Sequence, residues 1–183
     1  MKGTGRAVLA FLAMLVMLAA AFAIGSYRGY LNEKLNVEMA SGSLDEVLDA
    51  RIEMGNNLLT VASRHVSQDD PLLVSIQKQL HALKGEGSIS EKSAANEVLG
   101  QDSKALLTQL ESLPSVQNDA RDLRYVMGLL PRGFEQSEQW ADAQNYNAAA
   151  AAFNDRLNGT INGYVARLLG IQPAELFEGG QGQ

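Results

Sequence analysis

His65 stands four residues before Asp69, a spacing that can set two side chains on one helix face. A histidine and a carboxylate so placed are the beginning of a metal site or an acid–base pair. Either site needs more convergent ligands than this pair offers, and His81 is the only other histidine. The remaining acids have simpler roles. Asp69 and Asp70 precede Pro71 as a helix cap, and Glu135 and Glu138 suit a first turn, where carboxylates complement the helix dipole. Gly85-Glu86-Gly87-Ser88 lacks the Lys-Ser/Thr ending of a phosphate loop and reads as a linker. No catalytic, cofactor-binding or metal-ligating residue is expected, no cofactor is implied, and the chain does not read as an enzyme. With no cysteine, disulfides and thiolate metal sites are excluded. A net charge of −6 without any Lys/Arg-rich run argues against nucleic acid as a partner.

Amides form a second pattern. Asn147, Asn154, Asn158 and Asn162 recur at helical steps beside an apolar stripe of Tyr146, Phe153, Leu157, Ile161, Tyr164 and Leu168. Asparagine is a poor helix former, because its side chain competes for backbone hydrogen bonds. These amides can be boundary positions reaching water, or they can be buried and bonded across to another helix. A buried amide left unbonded costs about 1–3 kcal/mol, so the second reading demands a specific mate. Asn56-Asn57, early in the chain, supplies a candidate. The hypothesis is a structural polar network of Arg51, Asn57, Asn147 and Asn154, with Asn57 and Asn154 pinning the first bundle helix to the last. Arg51 could instead meet an acidic partner or a lipid headgroup, or bond helix ends or a carboxylate such as Glu111 or Asp155. Trp140 and Tyr164 read as core residues or as surface anchors for a partner.

The elements that must position these residues are all helical, since no segment alternates apolar and polar residues over a strand length. Ser41-Gly42-Ser43 reads as a break, with Ser43 and Glu46 forming a capping box for a helix from Leu44. Its inward positions are Leu44, Val47, Leu48, Leu58, Val61 and Ala62. A helix from Pro71 carries Leu73, Ile76, Leu80 and Leu83 on one stripe, and a third runs from about Ser90 towards Pro114. A short helix with Val116, Ala120, Leu123 and Met127 follows. Pro131-Arg132-Gly133 interrupts or kinks the path, and a long last helix spans about Glu135 to Leu169. Gly170 suits its C′ position, and residues from Gly179 read as a fraying tail.

From Ala7 to Ile24 the chain has no charged or strongly polar residue, about 18 positions that come near the length a tilted helix needs to cross a bilayer. Lys2 and Arg6 precede this run, while Tyr27 and Tyr30 follow at interface positions. A cleaved signal peptide competes, because Ala21-Phe22-Ala23 has the form signal peptidase accepts. The run is longer than a usual signal core, which favours an anchor. Arg28 and Lys34 on the far side weaken the charge asymmetry, so an extracytoplasmic bundle is only the favoured topology. The expected organisation is an anchor over residues 1–30, a linker over 31–43, an antiparallel helical bundle over 44–178 and a tail over 179–183.

Two blocks carry a family resemblance. Leu48 through Leu59, with Arg51, Glu53 and Asn57-Leu58-Leu59, resembles the early signature of LemA family proteins, and His65 matches a histidine often found after it. Tyr146-Asn147, Ala150 and Phe153-Asn154 resemble that family's late heptad, and Gly170-Ile171, Pro173-Ala174-Glu175 and Leu176-Phe177 resemble its closing segment. Asn56 replaces the family's proline. The arginine before Tyr-Asn is absent, and Thr160-Ile161 stands where the family has Phe-Pro, so the last helix is expected to run on unbroken. The resemblance implies a membrane-attached bacterial helical protein without accepted catalytic residues. The expected partners are the lipid bilayer and unidentified envelope proteins bound by a scaffold or adapter, with the oligomeric state unassigned. A ligand-sensing exported bundle, or a secreted bundle after signal cleavage, is the alternative.

Overall fold

The uncharged run does not end its helix where its apolar residues end. In the computed structural model, which describes residues 2–140 and 144–178, α1 extends without interruption over Lys2–Ala62. The expected linker over residues 31–43 is therefore helix, and Ser43 caps nothing: its hydroxyl donates back to the Ala40 carbonyl at 2.9 Å. A mid-helix glycine costs about 1 kcal/mol, and packing readily outweighs it. Here Val37 and Leu44, one heptad apart on either side of Gly42, are both buried.

The helices α2 (Pro71–Lys84) and α3 (Ile89–Glu111) follow the pattern read from their residues. Asp70 caps α2 by accepting from Leu72 N–H, and Leu73, Ile76, Leu80 and Leu83 are all buried. Burial opposes a hydrogen bond from the Gln109 side chain, but that bond, helped by backbone N–H groups, holds the Asp70 carboxyl below its ordinary value. Ser88 caps α3 in a reciprocal box with Glu91. Pro114 opens α4 (Pro114–Gln117), as a residue without an N–H should.

Pro131 neither breaks nor ends the next helix. α5 (Ala120–Arg124) passes through a π-helical turn at Tyr125–Leu129 into α6 (Leu130–Trp140). Proline withholds one helix hydrogen bond and crowds the preceding turn. The widened turn absorbs that, with Leu130 N–H bonding to the Tyr125 carbonyl five residues back. The extra residue rotates the apolar stripe, so Val126, Leu130 and Phe134 are buried while Met127 is exposed. Gly133 lies directly against the Met54 side chain of α1, where a Cβ would collide with the sulfur.

The expected last helix, from about Glu135 to Leu169, is not one helix: its first residues belong to α6, and after residues 141–143, which lie outside the described residues, come α7 (Gln144–Gly159) and α8 (Ile161–Leu168). Thr160 leaves helical geometry and caps α8, its hydroxyl accepting from Gly163 N–H at 2.9 Å. Gly170 closes α8 at φ +98°, with Gly170 N–H on the Arg167 carbonyl and Ile171 N–H on the Ala166 carbonyl, a Schellman motif. Residues 171–178 then run without regular structure. The Glu138 and Trp140 side chains and the tail 179–183 lie outside the described residues. Two compact units emerge, Met1–Met39 with Ala148–Ala174, and Ala40–Asn147 with Glu175–Gln183.

Candidate functional site

Arg51 is 1% exposed, the largest of the fully buried side chains. A guanidinium cannot shed its charge, so it must be met by acceptors in fixed geometry. Its Nε donates to Asn96 Oδ1 at 2.9 Å, and its Nη1 donates to the Phe134 carbonyl at 3.3 Å and to Ser137 Oγ at 3.4 Å. The guanidinium carbon also lies 5.5 Å from the centre of the Phe134 ring, within cation–π range. Three elements, α1, α3 and α6, thus converge on one residue. Glu111 and Asp155, the carboxylates considered as mates, are exposed, as is Glu53. Beside this node lies a cavity of about 360 Å³ lined by Arg51, Gly100, Lys104, Leu107, Pro131, Phe134 and Glu135.

The asparagines are used differently from the expected network. Asn57 is exposed. Asn154 Oδ1 accepts from Ala174 N–H at 2.8 Å while its Nδ2 donates to the Ala174 carbonyl at 2.9 Å, so both ends of the amide are taken. Asn147 does the same to Phe177, at 2.8 and 2.7 Å. An Asn57–Asn154 pair is thereby replaced by two side-chain amides, each imitating a backbone peptide against an irregular strand. Asn158 bonds Arg167 at 2.9 Å, and Asn162 is exposed.

Tyr146 OH adds a bond to the Glu175 carbonyl at 2.7 Å. Burial, and secondarily the nearby Glu175 charge, push the Tyr146 phenol upward. Glu175 itself accepts from Ser90 N–H at 2.9 Å at the start of α3, and this backbone bond draws its carboxyl down. Glu178 N–H donates to Ser93 Oγ at 3.0 Å, and Phe177 is 2% exposed. The closing segment is therefore a strap held by α7 on one side and the N-terminal turns of α3 on the other.

His65 does not pair with Asp69. Its Nε2 meets Asp122 Oδ2 at 2.9 Å, and Arg64 Nη1 donates to Asp122 Oδ1 at 2.6 Å. Asp122 is 0% exposed. Burial alone would raise its carboxyl, but the bonds from His65 and Arg64, with the Arg64 charge, outweigh that and hold it low. The cluster ties the end of α1 to α5. Among the described residues no three His, Asp or Glu side chains gather as a metal would need.

These features define a class: an all-α protein whose apolar N-terminal helix continues into a bundle built around a buried arginine, closed by an amide-held strap. The chain belongs to the LemA family, which it matches over residues 40–183. No curated protein and no solved structure matches it. Arg51 was legible through the family pattern. Asn96 was not, since a lone amide in α3 carries no signal of its own; the strap's residues stood in the resemblance, but the partners that hold it did not.

Proposed function

We propose that this LemA family protein is a non-catalytic scaffold or adapter, anchored in the membrane of the bacterial cell envelope, that presents its bundle to protein partners. One observation carries the reading. The same unbroken helix has an apolar stretch with 0% of its membrane-length window buried and, further along, the buried residues Leu44, Leu48, Arg51 and Leu58. A bare apolar rod needs lipid around it. Anchoring confines the bundle to a surface and raises its effective concentration for partners there.

Two measurements test the proposal. A photocrosslinking residue at exposed Val74 or Leu129, in native membranes, should capture discrete proteins that are lost when residues 7–24 are deleted. Capture unchanged by that deletion would contradict tethering. For sidedness, Val74→Cys introduces the single thiol of the chain, and an impermeant maleimide should label it in intact cells. Protection until lysis would place the bundle in the cytoplasm.

The cavity beside Arg51 favours a second reading, a ligand-sensing bundle. Its volume of about 360 Å³ falls in the range of small-molecule sites, and two cationic residues line it. A small molecule that raises the Tm of the wild type but not of Lys104→Ala would support sensing.

A further inference from the structure

α8 is built in the reverse of the usual order for a helix in water. Its buried residues are the small Gly163 and Ala166. Its large apolar residues face outward, Ile161 at 79% exposed, Tyr164 at 62% and Leu168 at 70%, spaced as one helical stripe. Each such side chain left in water forgoes about 1.5–3 kcal/mol of burial. The arrangement is not a frayed end, because the Thr160 cap and the Schellman motif at Gly170 fix both termini. Small residues inward and large apolar residues outward is how helices pack when lipid surrounds them.

Contacts inside the same unit place this stripe relative to the apolar run of α1. Tyr30 OH donates to the Arg156 carbonyl at 2.8 Å and shares a 2.7 Å hydrogen bond with Thr160 Oγ. Tyr30 is six residues past Ile24, or about 9 Å along the helix. The α8 cap therefore sits near the level where lipid headgroups would surround α1. Arg156 also pairs with Glu33 at 3.0 Å, and the Phe153 ring meets Tyr30 edge-on, so the end of α7 and the start of α8 are held against α1 just past the apolar run. Ser26, only two residues past Ile24, is already buried. Arg28 and Arg167 are exposed and add cations suited to phosphate headgroups.

We propose that α8 is an interfacial helix whose Ile161–Tyr164–Leu168 stripe lies in the headgroup–acyl boundary of the bilayer that α1 crosses. The inference rests on the anchor reading above. It gives the unit a second grip on the lipid surface, which restrains how α7 and α8 are oriented to the membrane.

The chain has no cysteine, so Tyr164→Cys, Leu168→Cys and Met39→Cys each take a single environment-sensitive fluorophore. Met39 is 71% exposed but lies 15 residues past Ile24, about 22 Å along α1, and serves as the aqueous control. The full chain would be reconstituted in phosphatidylethanolamine–phosphatidylglycerol vesicles carrying shallow nitroxide-labelled lipid. Labels at 164 and 168 should be blue-shifted, quenched by the nitroxide lipid and shielded from iodide, unlike the label at 39. Iodide quenching at 164 and 168 equal to that at 39, in vesicles that retain the protein, would overturn the inference and leave the anchor intact. Shielding that needs high protein density, without nitroxide quenching, would assign the stripe to a second copy and also overturn it. Loss of the protein from floated vesicles would remove the anchor and this inference together.

Discussion

α7 and α8 are neighbours in the chain and are used in opposite ways. On α7 the large residues Tyr146, Phe153 and Leu157 are buried, and Asn147 and Asn154 on the adjoining positions hold the strap. On α8 the continuation of the same apolar stripe, Ile161, Tyr164 and Leu168, is exposed. One residue separates the two regimes. Thr160 interrupts the backbone, and a rotation there carries every later side chain to a new face. A helical apolar stripe thus reports that a surface will be covered, without saying whether protein or lipid covers it.

The sharpest way to break this comparison is a matched pair of truncations. Leu157→Ala should lose about 3 kcal/mol in chemical denaturation, as a fully buried leucine does. Leu168→Ala should stay within about 0.5 kcal/mol of the wild type. Equal costs would show that α8 packs against protein after all.

A second variant tests the Asp122 cluster. Asp122→Asn leaves Arg64 facing a neutral amide; since Arg64 is 42% exposed, the cost at neutral pH should be about 2 kcal/mol rather than that of a fully buried pair. Because the folded Asp122 carboxyl is lowered, its contribution is present above the unfolded value near 3.9 and is lost as pH falls through the folded one. The difference between wild type and variant should therefore be full above about pH 4 and shrink as pH falls further, through the lowered folded value. Amide exchange within α8 at neutral pH should not change, which would keep the α7–α8 contrast independent of this cluster.

Asn147→Ala removes both bonds to Phe177 and should cost about 1.5 kcal/mol, with faster exchange of the Phe177 amide and no effect on α8. Among the variants that remove a hydrogen bond, the smallest loss is expected at the junction. Thr160→Ala deletes the cap and a partner of Tyr30, at about 1 kcal/mol, and should loosen α8 amides while leaving α7 protected. If α7 lost protection instead, the two helices would be one cooperative element and the comparison would fail.

Much of this architecture was legible because its causes are local. Asp70 with Pro71 marks a helix start by capping chemistry, Gly170 marks an end by its left-handed φ, and the α2 stripe follows from helical period. Expectations failed where two local rules competed with a distant one. Ser41-Gly42-Ser43 looked like a break, but burial on both sides carries the helix through. Pro131 was read as an interruption or a kink, and it lies within helix, with a π turn just before it. His65 was weighed against Asp69, a neighbour in sequence, and found Asp122 instead.

The sequence by itself determined an all-α protein, a charge-free run long enough to cross a bilayer, the termini of α2 and α3 and the end of α8, and the presence of an arginine and amides that had to be satisfied. Those properties arise from backbone preference and near-neighbour spacing. Only the tertiary structure decided that Arg51 answers to Asn96 and Phe134, that the asparagine heptad grips an extended strap, and that α8 turns its large residues outward. Each of these depends on which segments meet across long chain separations. Hydrogen-bond partners and burial belong to the pair that meets, and neither segment encodes the meeting alone.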